Sequence, residues 1–163
     1  MKILKSWLND WIDVENISSD EISEALESLG FEIESKTEKF PNYKNIIVGE
    51  VLEIYEHPNA DKVRVTKVDV GSKTYEIVCG AWNFDVGAVV PVALPKSEIK
   101  DGFKIDKRDI RGIESNGMIC SASELDLWDD HSGILKLSNQ TKLGTDFSTI
   151  YNSKDTLWEI GVT

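Results

Sequence analysis

The sequence predicts a mainly β protein with a small α/β part. A small barrel over residues 40–151 is inserted into a helix-plus-strand domain made of residues 1–39 and 152–163. Three observations predict this. Apolar residues recur at helical spacing only as far as Leu29. From Asn45 onward they fall in short strand-like runs separated by turn formers, the pattern of a small all-β barrel. The last segment, "NSKDTLWEIGVT", alternates once more, with Leu157, Glu159 and Gly161 set against Trp158, Ile160 and Val162.

Leu4, Trp7, Leu8 and Trp11 form one apolar helical stripe, expected to face a local core. "SSDE" offers a capping box, in which Ser18 accepts from the backbone three residues on and Glu21 reaches back. Ile22, Ala25, Leu26 and Leu29 continue as a second stripe, and Gly30 stands where a helix end favours a left-handed residue. Phe31 to Glu34 alternate as a half-buried strand, and residues 36–44, "KTEKFPNYK", read as a linker.

"NIIVGEVLEI" is a long strand in which Gly49 allows a bulge or a sharp bend. "VRVTKVDV" is a second, and its alternation slips between Val65 and Val68, the mark of a bulge. Gly71-Ser72 turns into a third strand, "KTYEIVC". "GAVVPVAL" is a fourth, placed at an edge or bent because Pro91 lies inside it. "DGFKIDKRDIRG" gives a turn and extended chain, "SASELDL" one or two helical turns, and "SGILKL" a last strand. The terminal segment is expected to pair near Phe31–Ser35, and its end in mid-strand suggests a piece of a longer protein.

The 163 residues carry a net charge of −11, from 18 basic and 29 acidic side chains. That balance argues against simple electrostatic binding to nucleic acid. Charge is unevenly spread. Residues 1–39 hold 4 basic and 10 acidic residues, whereas residues 96–111 hold Lys96, Lys100, Lys104, Lys107, Arg108 and Arg111 against four acids. Such mixed charge reads most simply as a solvated surface. No run approaches a membrane span, and the N-terminus lacks a signal-peptide core. Cys79 and Cys120 do not make a disulfide framework and read as reduced, buried thiols of a cytoplasmic protein.

Neither cysteine sits in an activating context, and there is no Gly-rich phosphate loop, so no catalytic residue is expected. His57, Asp61, Asp129, Asp130 and His131 lack the close pair spacing of a metal site, so no metal is expected either. "EHPNADK", 56–62, reads as a turn: Pro58 sets one backbone angle, and Asn59 and Asp61 bond nearby backbone. "RGIESNGMICSASEL", 111–125, is less ordinary. Arg111, Ser115, Asn116, Ser121 and Ser123 make a polar rim around Met118 and Ile119. That strip suits exposed bases and phosphate, but for the residues taken by themselves a barrel closure with its polar groups satisfied internally is the leading reading.

"HPNADKVRVTKVDVG", "IVCGA", "VPVALP" and "RGIESNGMICSASEL", in this order and spacing, resemble the tRNA-binding OB-fold domain of aminoacyl-tRNA synthetases and free-standing tRNA-binding proteins. "MKILKSWLNDWIDV", "LGFEIES", "HSGILKL" and "DTLWEIGVT" extend the resemblance to the N-terminal region of bacterial phenylalanine–tRNA ligase β subunits. The resemblance implies a five-stranded OB-fold barrel that is a non-catalytic tRNA-binding module. Its alternative role is a structural domain packed against the rest of a synthetase. It also implies a parent α2β2 enzyme that uses ATP and Mg²⁺, with tRNA and an α subunit as partners and neither DNA nor membrane. The resemblance places a nucleic-acid strip on Arg111, Ser115, Gly117, Met118 and Ser121; Lys62 and Arg64 at the turn, Lys107 and Arg108 of the basic stretch and Asn116 of the polar rim complete the residues expected to contact RNA. Two positions depart from the family pattern. Trp82 stands where proline is frequent, and Asp126 stands where glycine is usual.

Overall fold

A computed structural model describes residues 1–39, 43–151 and 154–161. In chain order the elements are β1 (Lys2–Leu4), α1 (Lys5–Asn9), α2 (Ser19–Ser28), β2 (Glu32–Lys39), β3 (Ile46–Glu56), β4 (Arg64–Asp69), β5 (Thr74–Cys79), β6 (Val89–Ala93), β7 (Glu98–Ile99), β8 (Phe103–Lys104), β9 (Arg108–Ile110), β10 (Ile113–Ser115), β11 (Met118–Ile119) and β12 (Asp155–Gly161). The chain divides into two compact units. One draws on Met1–Phe40 and Ser153–Thr163, the other on Pro41–Asn152.

The smaller unit is a three-stranded antiparallel sheet with β12 in the middle, between β1 and β2. Alternation along β12 buries Thr156, Trp158 and Ile160 on one face. Val14, Ile22, Leu8, Leu26, Ile3 and Ile33 pack on that face. The capping box at Ser18 and Glu21 forms. The Ser18 hydroxyl and backbone N–H both donate to the Glu21 carboxylate, which holds it below the usual carboxylate range. At the other end of α2 the Phe31 N–H bonds back to the Leu26 carbonyl and Gly30 N–H to Glu27, a Schellman closure.

The first apolar stripe does not behave as expected. Leu4 is in β1, α1 has only five residues, and Trp7 and Trp11 are 55% and 88% exposed. Leu4 leaves the helical stripe because it pairs with β12, and just past α1 the Val14 N–H bonds to the Asn9 side chain. The expected linker is also partly strand. Residues 36–39 continue β2 by pairing with β12 as far as Lys39↔Asp155, and residues 40–42 lie outside the described residues.

The larger unit is a five-stranded antiparallel sheet in the order β11-β6-β3-β4-β5, rolled into a nearly closed barrel. The remaining seam lies between β5 and the β10–β11 segment. There the Asn116 N–H donates to the Glu76 carbonyl at 2.9 Å, and the Val78 N–H donates to Ser115 Oγ at 3.0 Å. Val51, Val68, Ile77, Phe84, Val90, Val92 and Ile119 fill the interior. A second cluster, Tyr43, Ile46, Ile105, Cys120, Leu125 and Phe147, adjoins β6 and β11.

Four strand expectations are corrected. The bulge in the β3–β4 pairing falls between Val51 and Glu53, on β3, so the extra residue lies opposite the slip read in β4. Gly49 serves close approach instead: a Cβ there would lie 2.6 Å from Val68 Cγ1. Pro91 is buried between β3 and the very short β11, not at an edge. "SGILKL" forms only a single bridge, Leu137 to Val89, on the stretch of β6 that the two-residue β11 leaves uncovered.

Candidate nucleic-acid interface

"EHPNADK" joins β3 to β4 and is latched to the two-residue turn between β9 and β10. His57 is buried, and its ring closes both ends of the contact. Nδ1 accepts the Asn59 N–H at 3.0 Å and Nε2 lies 2.8 Å from the Ile110 carbonyl, so the neutral ring carries its proton on Nε2. Asn59 Nδ2 donates to the Arg111 carbonyl, and the Arg111 guanidinium returns a bond to the Asn59 carbonyl, each at 3.0 Å. Arg111 and Gly112 both have positive φ, 51° and 94°, as a two-residue type I′ hairpin turn requires. The loop after β3 and the long β6–β11 excursion therefore act as one piece. These are the loops corresponding to those that carry ligands in OB-type barrels.

The expected contact residues divide by what already holds them. Lys62 and Arg111 are exposed on the latched loops, and Lys107 and Arg108 are exposed on the adjoining chain. Lys107 stands 3.7 Å from Glu114 at the surface, a pairing of little stability value. The Arg108 guanidinium lies 5.2 Å from the Phe103 ring centroid. By contrast, Arg64 is turned into the fold. It donates to the Ala81 and Phe84 carbonyls at 3.1 Å, and its buried Nε has no hydrogen-bond partner. Ser115 is buried in the seam, and Ser121 is buried while capping the turn at Glu124. Asn116 closes the barrel through its backbone. For Ser115, Asn116 and Ser121 the geometry is that of the barrel closure weighed for the 111–125 strip, whereas Arg64, expected to face an RNA backbone, is engaged by the carbonyls of Ala81 and Phe84.

Two clefts flank the seam and share Val78 and Met118. The first, about 130 Å³, is lined by Phe103, Ile105, Arg108, Ile110 and Gly117 as well. The second, about 400 Å³, reaches Cys79, Ala81, Ser121, Glu124 and His131. Burial pushes both cysteine thiols up, so neither offers a thiolate at neutral pH. His131 stays near the surface, 2.9 Å from Asp129 and 3.2 Å from Ser123 Oγ. Among the described residues, no three His, Cys, Asp or Glu side chains gather as a metal site. Likewise, no described helix is long and apolar enough to cross a membrane.

The outer face of β3, β4 and β5 is a poor place for phosphate. Glu53, Lys67 and Glu76 sit side by side across it. Lys67 is spent on Glu53 at 3.1 Å, and the Tyr55 phenol donates to Glu76 at 2.5 Å. That bond, with partial burial, pushes the Tyr55 phenol up to about 12. The folded-state value lies above the unfolded one, near 10. Its stabilisation is therefore complete below about pH 10 and is lost as pH rises toward 12. In alkaline difference spectra Glu76→Gln is expected to return one tyrosine to the ordinary range, and an unchanged titration would contradict the assignment.

Sequence reading missed Phe103 as a surface feature of the site and noted Trp82 only as a departure from the family pattern. The available signal for Phe103 was a lone aromatic directly after the Asp101-Gly102 turn.

Strand order, seam and latched loops define an OB-type barrel. Residues 46–146 match the family described as "Putative tRNA binding domain", and the chain belongs to that family. Among curated proteins it is similar to the phenylalanine–tRNA ligase beta subunits of Burkholderia lata (44% identical) and Pseudomonas putida (39%). Each alignment covers 100% of this chain and 21% and 20% of the relative, respectively. The chain thus spans about one fifth of the length of the curated relatives it matches. Among solved structures, the C-terminal domain of Plasmodium vivax p43 is 31% identical, with a TM-score of 0.37, over 46% of this chain and 44% of that one.

Proposed function

We propose that this chain is a non-catalytic tRNA-binding module of a phenylalanine–tRNA ligase β subunit, holding tRNA while other parts of a larger α2β2 enzyme perform the ATP- and Mg²⁺-dependent attachment of phenylalanine. The observation that carries the reading is the family match over 46–146, centred on a barrel whose exposed Lys62, Lys107, Arg108 and Arg111 lie on its latched loops and the chain beside them. Recognition would be led by backbone and shape, because these cations meet phosphate and carry no base code. Arg64, Ser115 and Ser121 support the site through the fold. A cytoplasmic setting suits this role.

The test is an electrophoretic mobility shift of the 1–163 protein with tRNA at low and moderate salt. Lys107→Ala and Arg108→Ala are each expected to weaken binding alike across RNA sequences and to lower the salt slope by about 1. Binding that is absent at low salt, or equal and salt-insensitive in wild type and variants, would overturn the reading. The rival is a structural domain packed against the rest of a synthetase. The net charge of −11 and the acidic face at Glu53 and Glu76 favour it, and it predicts no tRNA shift at any salt.

A further inference from the structure

Two exposed aromatic side chains of the larger unit, Trp82 and Phe103, each have an arginine over the ring. Trp82, 59% exposed, has the Arg64 guanidinium 4.7 Å from its ring centroid. The same guanidinium lies 4.7 Å from the buried Phe84 ring and is held by the carbonyls of Ala81 and Phe84. Phe103, 47% exposed, is backed by Arg108. Phe103 lines the first cleft, and Ala81, the residue before Trp82, lines the second; the clefts meet at Val78 and Met118.

A half-buried guanidinium whose buried Nε lacks a partner is costly unless its other contacts are specific. Here the charge lies over two rings, a cation–π arrangement that orients Trp82 and leaves much of its surface to solvent. A flat, oriented, exposed ring beside a cation is what an unpaired base stacks on, and a duplex cannot use it because its bases are already stacked. The alternating-charge surface nearby offers little to an acidic protein, whereas an aromatic–arginine pair suits a π-face with a phosphate attached.

We propose that Trp82 and Phe103, each backed by its arginine, stack two unpaired nucleotides of a single-stranded RNA segment on either side of the barrel seam. The inference rests on the RNA-binding reading and adds to it the form of RNA recognised. Neither residue belongs to the contact set expected from the sequence.

The experiment uses the 1–163 protein, a single-stranded RNA oligonucleotide and a blunt RNA duplex of equal length, with affinities measured over a salt series. Trp82→Leu and Phe103→Leu are each expected to weaken single-strand binding by about five- to a hundredfold, the range of one lost base stack. Duplex affinity and the salt slope should not move. Trp82→Phe and Phe103→Tyr, which keep a ring, should retain most of the affinity and also guard against a folding defect. Trp82 emission, isolated as the difference between wild type and Trp82→Phe, should be quenched by the single strand and not by the duplex. If the leucine variants bind the single strand like wild type, or lose single strand and duplex together, the stacking assignment is overturned while backbone-led RNA binding stands. If wild type binds neither RNA, both fall, and the exposed rings belong to a protein contact.

Discussion

Trp158→Ala is expected to destabilise the smaller unit by about 3–5 kcal/mol, the cost of emptying a large core site. Trp158 is fully buried on the central strand, in the cluster with Val14, Ile22 and Ile160. Its indole N–H donates to Ser23 Oγ at 2.8 Å, which ties β12 to α2. A unit this small has little surplus stability, so a loss of that size leaves it largely unfolded. Urea unfolding followed by far-UV circular dichroism should show its transition moved to low denaturant while the barrel's transition stays. Trp158→Phe, which keeps most of the volume, should cost clearly less. A wild-type-like curve for the alanine variant would show that the cluster is not the unit's core.

Gly117→Ala is expected to be the most damaging single-methyl change in the barrel. Gly117 has φ of +144°, and a Cβ there would meet the Ala93 carbonyl oxygen at 2.5 Å, with rigid backbone on both sides. Backbone strain of this kind costs about 1–3 kcal/mol before the clash is counted. Relief requires moving the chain between Ser115 and Met118, which opens the seam bonds to Val78 and Glu76. Gly87→Ala supplies the comparison, since Gly87 also has positive φ but nothing lies within 4 Å of its added methyl. Thermal unfolding should rank Gly117→Ala well below Gly87→Ala, and equal losses would mean that the contact with Ala93 is easily relieved.

Much of the barrel is legible because its signals are local. Alternation marks β3, β4 and β5, and Ser18 with Glu21 announces its helix at a fixed spacing. The errors occur where a tertiary partner decides. Residues 36–39 look like a polar linker, yet they pair because β12 offers a free edge. Pro91 is tolerated inside the sheet because its neighbour on one side, β11, is only two residues long. "SGILKL" has strand composition but finds only the short end of β6 that β11 leaves uncovered, and makes one bridge there. The same holds for the site. The turn "EHPNADK" is readable from its proline and Asx residues, but its latch to Arg111 spans 52 positions of sequence. Arg64 looks like any surface cation until the rings of Trp82 and Phe84 are seen beside it.

The pairing of Lys39 with Asp155 has a thermodynamic consequence. To the smaller unit, everything from residue 40 to 154 is a loop whose ends must meet before β2 and β12 can zip. A disordered loop of that length carries a closure penalty that grows by about 0.6 kcal/mol per doubling. The barrel removes most of it. Tyr43 and Tyr151, near its two chain ends, both pack on Phe147, with ring centroids 5.0 and 5.3 Å apart. A folded barrel thus presents its ends already gathered. Anything that melts it should weaken its neighbour through chain entropy alone, with no contact between the two required.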